Sequence, residues 1–198
     1  RDPEMSRGLG DVYKRQKLEF MNLNLNELVQ QVNGEFTERF ESRNLDLICI
    51  LQPEPLLICA DSRRIWRVLE NLYVNVCKYA MPGTRVYVDA IRKDGKIQFS
   101  IKNISENALN CEADELTERF IRGDVSRSTE GSGLGLSIAK NLTVLQQGTF
   151  DIYLDGDLFK VTITFDEVVK EKKPETSGYT AKPEMPEEDL EKPSSDTI

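Results

Sequence analysis

The sequence contains no histidine in its 198 residues. Imidazole metal ligands, Ser-His-Asp triads and histidine general bases are therefore excluded from the chain itself. Positive charge is also short: 26 Lys and Arg against 34 Asp and Glu leave a formal net charge of −8. A nucleic-acid surface needs a basic face, so no nucleic-acid partner is expected. The four cysteines, Cys49, Cys59, Cys77 and Cys111, are scattered, with no Cys-x-x-Cys pair and no metal-like spacing. Three of them lie in apolar runs, where a thiol behaves as a small hydrophobe, as expected in a reducing, cytoplasmic setting. No apolar run approaches the roughly 18 residues of a membrane span and no signal peptide is recognisable, so no membrane contact is expected of this piece.

What is present is enough for one core: 39% of residues are hydrophobic, with length left over for tails. Residues 1–16 show no usable periodicity and read either as a non-native lead or as a linker, outside the fold. Asn26 is positioned to cap a helix running to about Ser42, with Leu28, Val29, Val32, Phe36 and Phe40 on one side. Leu45–Ile50 and Leu56–Ala60 read as strands split by Gln-Pro-Glu-Pro. Asp61 or Ser62 caps a second helix, Arg63–Tyr79. Thr84–Arg92 and Lys96–Asn103 flank Lys-Asp-Gly as a hairpin, and Thr149–Leu154 and Leu158–Phe165 form another around Asp155-Gly156. Between them lie an irregular stretch with a short helix near Ala113–Arg119 and a Gly-rich segment leading into a helix that ends near Gln147. Residues 167–198, rich in Pro and charge without apolar periodicity, read as a disordered acidic tail. The pattern gives an α+β domain over 17–166: three main helices on one face of a mixed, mostly antiparallel sheet of about six strands.

Two stretches carry chemistry. In Gly131-Ser132-Gly133-Leu134-Gly135, glycines at alternate positions let the backbone approach a ligand closely. The helix that follows would aim its free N–H groups and positive dipole end at the same place, a geometry suited to phosphate. A plain turn into a helix would use the same residues. On the second helix, successive side chains turn by about 100°, which puts Ile65, Val68, Leu69, Leu72, Val76 and Tyr79 on a core face. Arg67, Asn71, Asn75 and Lys78 form a separate bordering stripe. Asparagine weakens a helix interior, so two of them there call for a reason. A solvated face is one. A pocket wall is the other, with amide oxygens suited to Mg²⁺ and an ammonium suited to phosphate.

Taken together, the motifs resemble those of sensor histidine kinases. Asn71-Leu-Tyr-Val-Asn75-Val-Cys-Lys78-Tyr79 is similar to their N box, Glu118-Arg-Phe120-Ile-Arg122 to their F box, and Gly131-Ser-Gly133-Leu-Gly135-Leu to their G2 box, in the same order. The resemblance covers about residues 24–166 and implies the Bergerat fold, a two-layer α/β sandwich that binds ATP. It implies that Asn71 and Asn75 hold Mg²⁺ and phosphate, that Lys78 contacts phosphate and that Tyr79 lies by the adenine. Arg122 and Arg127 would reach the phosphates from a lid over roughly 123–130, or stand as solvated loop charges. Gly131, Gly133 and Gly135, with Ser132 and Leu134 between them, would admit the triphosphate.

One box departs. Where the family has Asp-x-Gly-x-Gly, this chain has Asn103-Ile-Ser-Glu-Asn107. Asn103 can still accept a hydrogen bond from the adenine amino group. The implied function is transfer of the ATP γ-phosphate to a histidine on a separate dimerisation domain, and indirectly to a response regulator, by a cytoplasmic domain that is monomeric in isolation. A serine kinase of anti-sigma-factor type and a non-catalytic nucleotide-binding scaffold are the alternatives.

Overall fold

The computed structural model describes residues 18–109 and 135–168. In chain order the elements are β1 (Phe20–Asn24), α1 (Leu25–Ser42), β2 (Asp46–Leu51), β3 (Leu57–Asp61), α2 (Ser62–Tyr79), β4 (Arg85–Lys93), β5 (Lys96–Ile104), α3 (Gly135–Leu145), β6 (Thr149–Asp155) and β7 (Leu158–Asp166). The main sheet has the order β2-β4-β5-β7-β6. Its one parallel pair is β2 with β4, reached by a crossover through β3 and α2; the other neighbours are antiparallel. The three helices supply the apolar layer over this sheet, so the α+β reading stands.

Alternation along β4 and β5 builds the seam. Val86, Val88 and Ala90 and their neighbours Ile97, Phe99 and Ile101 are buried, while intervening residues reach the opposite, wetter face. Facing them, α1 contributes Val29, Val32, Phe36 and Phe40, and α2 contributes Ile65, Val68, Leu69, Leu72, Tyr73 and Val76. Phe36, Phe40 and Tyr73 pack ring on ring, with centroids 5.3 to 6.2 Å apart.

Three local expectations change. An additional strand, β1, pairs antiparallel with β3 from Phe20↔Asp61 to Asn24↔Leu57. Five residues containing two asparagines carry no alternation signal; β3 recruits them because its edge would otherwise be open. The cap of α1 is Asn24, in extended backbone, not Asn26. Asn26 instead lies buried inside the first turn and donates to Gln52 O at 2.8 Å and Glu54 O at 3.0 Å. It pins the Gln-Pro-Glu-Pro loop, a tertiary demand that outranks capping. At its far end, α3 stops at Leu145, and Gln147 turns left-handed with φ +66°.

The second helix starts as expected at one of its two candidate caps: Asp61 accepts from Arg63 N at 3.1 Å and Arg64 N at 3.2 Å. Asp61 also accepts from Glu19 N, and its own N–H donates to Gln146 Oε1 at 2.9 Å. Gln146 in turn donates to Leu142 O, so the end of α3 is tied to the start of α2. Pairing continues past β7, where Glu167 N donates to Gly95 O and Val168 N to Leu57 O.

Candidate functional site

Helix α2 sets one wall. Its apolar arc sits against the core, and that fixes its rotation, leaving Asn71 and Asn75 half-buried at the border and Arg67 and Lys78 exposed beside them. Asn71 Nδ2 donates back to Arg67 O at 2.6 Å, which commits that donor and leaves Oδ1 as the acceptor of the amide. Helix α3 packs against α2 with its first residue at this point. A Cβ placed on Gly135 would stand 3.2 Å from Asn71 Oδ1, so a side chain there would crowd the amide. Asn71 of the asparagine stripe and Gly135, the last glycine of the Gly-rich segment, 64 positions apart in sequence (135 − 71), therefore meet.

The third side is the end of β5. Asn103 is 3% exposed; its Nδ2 donates to Ile104 O at 3.0 Å, while its Oδ1 has no partner among the described residues. A buried acceptor left unpaired costs about 1–3 kcal/mol, so such an atom points to a ligand donor. The following residues are laced to the end of α2: Met81 N donates to Ile104 O at 2.9 Å and Glu106 N to Tyr79 O at 2.8 Å. Ala80 and Ser105 form an isolated bridge. Asn103 and Tyr79, the two residues expected at the adenine, thus stand at the same joint.

The structure sets Gly135 against Asn71 and the residues after Asn103 against the end of α2 at Tyr79, with Asn75 and Lys78 between these two points on the same helix. Arg122, Arg127, Gly131, Ser132, Gly133 and Leu134, with the expected short helix, F box and lid, lie outside the described residues. A cavity of about 770 Å³ opens elsewhere, lined by Glu41, Asn44, Asp46, Gly83, Arg85 and Tyr87 among others. It contains none of the candidate residues.

Two residues at the joint were not singled out from sequence. Arg43, just past α1, donates through Nη2 to Ala80 O at 3.1 Å and to Glu106 Oε2 at 2.9 Å. Nothing local marks either residue, because the contact spans 63 positions. Among the titrating groups nearby, burial pushes the Cys77 thiol up to about 11 despite Arg39 and Arg43 close by. Burial raises the Tyr73 hydroxyl far above its ordinary value, and the side chain donates to Asn33 Oδ1.

The family described as "Histidine kinase-, DNA gyrase B-, and HSP90-like ATPase" matches residues 60–190. Signal transduction histidine-protein kinase BaeS of Escherichia coli (strain K12) is 30% identical over 123 residues, 61% of this chain and 26% of that protein. The chain thus spans about a quarter of that relative. Among solved structures, the catalytic domain of histidine kinase ThkA superimposes with a TM-score of 0.65 at 25% identity, covering 75% of this chain and 96% of that one. ThkA in complex with response regulator protein TrrA gives a TM-score of 0.63 at 22% identity, covering 85% of this chain and 53% of that one.

Proposed function

The chain belongs to the histidine kinase-, DNA gyrase B-, and HSP90-like ATPase family, and from that premise we propose that it is the ATP-binding, catalytic part of a sensor histidine kinase. The phosphate acceptor is a histidine outside these 198 residues, which contain none. The observation that carries the reading is the meeting of Asn71 Oδ1 with Gly135 at the start of α3. A helix start that faces an amide acceptor across a gap that any side chain at 135 would narrow suits a metal-bound phosphate chain.

The geometry supports a role for each site residue among those described. Gly135 keeps the start of α3 clear, so its N–H groups and dipole favour the phosphates. Asn71 and Asn75, one helical turn apart, would hold Mg²⁺ through their amide oxygens. The donor set fits, since Asn71 Nδ2 is already committed to Arg67 O and Oδ1 is left for a cation. When bound, that ion neutralises phosphate charge. Lys78 adds a mobile positive charge at the exposed end of the stripe. At the base end, Asn103 Oδ1 accepts from the adenine amino group, which satisfies an otherwise orphaned atom. Arg122 and Arg127, with Gly131, Ser132, Gly133 and Leu134, complete the phosphate side.

Phosphoryl transfer leaves little covalent work to the protein, so holding ATP in line with the acceptor and stabilising its charge are the main contributions. The partner is the histidine-bearing dimerisation domain of the same kinase, and a response regulator receives the phosphoryl group from that histidine. The domain works in the cytoplasm and is monomeric alone. Among the described residues, no helix is long and apolar enough to cross a membrane.

The test is to mix the chain with a separately made histidine-bearing helical hairpin and radiolabelled ATP. Acid-labile, base-stable label on the hairpin is expected, with none on the chain alone. Label on a partner serine would favour an anti-sigma-factor type of kinase. ATP binding with no transfer to any acceptor would leave a nucleotide-binding scaffold.

A further inference from the structure

We propose that Arg43 and Glu106 are positioning residues that set the base end of the nucleotide pocket, an inference that rests on the ATP-binding reading. The stretch Asn103-Ile-Ser-Glu-Asn107 has no glycine, so it cannot turn by the left-handed backbone that glycine makes cheap. It is held by bonds to its surroundings instead. Ser105 N donates to Asp157 O and Glu106 N to Tyr79 O, both at 2.8 Å. A single nitrogen, Arg43 Nη2, then closes the corner by reaching Ala80 O at the end of α2 and the Glu106 carboxylate after β5.

Arg43 Nε is buried and has no partner among the described residues, so the inner edge of the guanidinium lies in the corner although the side chain as a whole is partly exposed. The two side chains are 35% and 47% exposed, so attraction between their charges contributes little by itself. Their effect is geometric. Glu106 lies three residues beyond Asn103, whose orphaned Oδ1 must sit within about 0.5 Å of its productive position to read an amino group. Releasing the corner lets that acceptor drift relative to Tyr79. The result is lost discrimination between bases, with the phosphate end untouched.

Inosine triphosphate is the probe, because it carries a carbonyl oxygen where ATP carries the amino group. Calorimetric titration of the full chain with ATP and with inosine triphosphate is expected to show clear preference for ATP in the wild type. In Glu106→Ala the preference falls by about fivefold, and Arg43→Met, which keeps the length of the side chain but no donor, behaves alike. Glu106→Gln, whose side-chain carbonyl can accept the same bond, retains the preference. The unfolding temperature without nucleotide stays near that of the wild type in all three, which separates positioning from stability. Unchanged preference in both Glu106→Ala and Arg43→Met would overturn the proposal while leaving ATP binding intact. A wild type that binds neither nucleotide would instead overturn the ATP-binding reading, and this inference with it.

Discussion

Replacing Gly135 by alanine separates what stabilises the fold from what binds the ligand. The new Cβ would lie 3.2 Å from Asn71 Oδ1, a few tenths of an ångström inside ordinary contact. Asn71 cannot swing away freely, because Nδ2 is held 2.6 Å from Arg67 O. The fold gains up to about 1 kcal/mol from a better helix former and loses a similar amount to the crowding, so the unliganded stability changes by less than about 0.5 kcal/mol. Binding has no such compensation. Displacing one acceptor from a charged contact costs about 1.5 kcal/mol or more, roughly tenfold in affinity.

At ATP and Mg²⁺ concentrations about 100 times the wild-type Kd, nucleotide should stabilise the wild type by about 2.7 kcal/mol and the variant by only about 1.4 kcal/mol. Urea unfolding with and without Mg-ATP measures both quantities. A variant stabilised by ATP as fully as the wild type would refute the placement of the phosphates between Asn71 and α3.

Other outcomes follow from the same geometry. Asn26→Ala removes the donor to Gln52 O and Glu54 O, and should cost about 1–3 kcal/mol in urea unfolding with ATP affinity unchanged. Asp61→Ala uncaps α2 and frees Glu19 N, costing about 1–2 kcal/mol; a thermal midpoint within a degree of the wild type would contradict that role. Cys77 binds its proton more tightly folded than unfolded, so its contribution is full below the ordinary thiol value of 9.0 and is lost as pH rises to about 11. Cys77→Ala should therefore flatten the fall of the unfolding midpoint across that window, and an identical slope in the variant would exclude the thiol as a cause.

What could be read from sequence follows the range of the interaction. The core stripe of α2 and the hairpins of β4–β5 and β6–β7 arise from periodicity and turn residues within a few positions, and they appear where expected, except that Tyr73 joins the stripe and Tyr79, at the end of the helix, is only half-buried. The asparagine stripe was legible for the same reason, since helical rotation alone separates Asn71 and Asn75 from Leu69 and Leu72. Other features depend on partners far along the chain. Phe20–Asn24 is a strand only because β3 offers an open edge. Asn26 is buried only because a proline-bounded loop returns to it. Arg43 finds Glu106 only once α1, α2 and β5 have packed, and no local signal announces that contact. Likewise, the orphaned oxygen of Asn103 is a property of burial, which a residue name cannot convey.

The central claim is tested most directly by calorimetric titration of the chain and of Asn75→Ala with ATP and ADP, with and without Mg²⁺. The expected result is adenine-nucleotide binding by the wild type that depends on Mg²⁺ and is lost in Asn75→Ala, with both proteins equally folded by circular dichroism. Binding that is indifferent to Mg²⁺ and to Asn75, or no binding into the millimolar range, would contradict it.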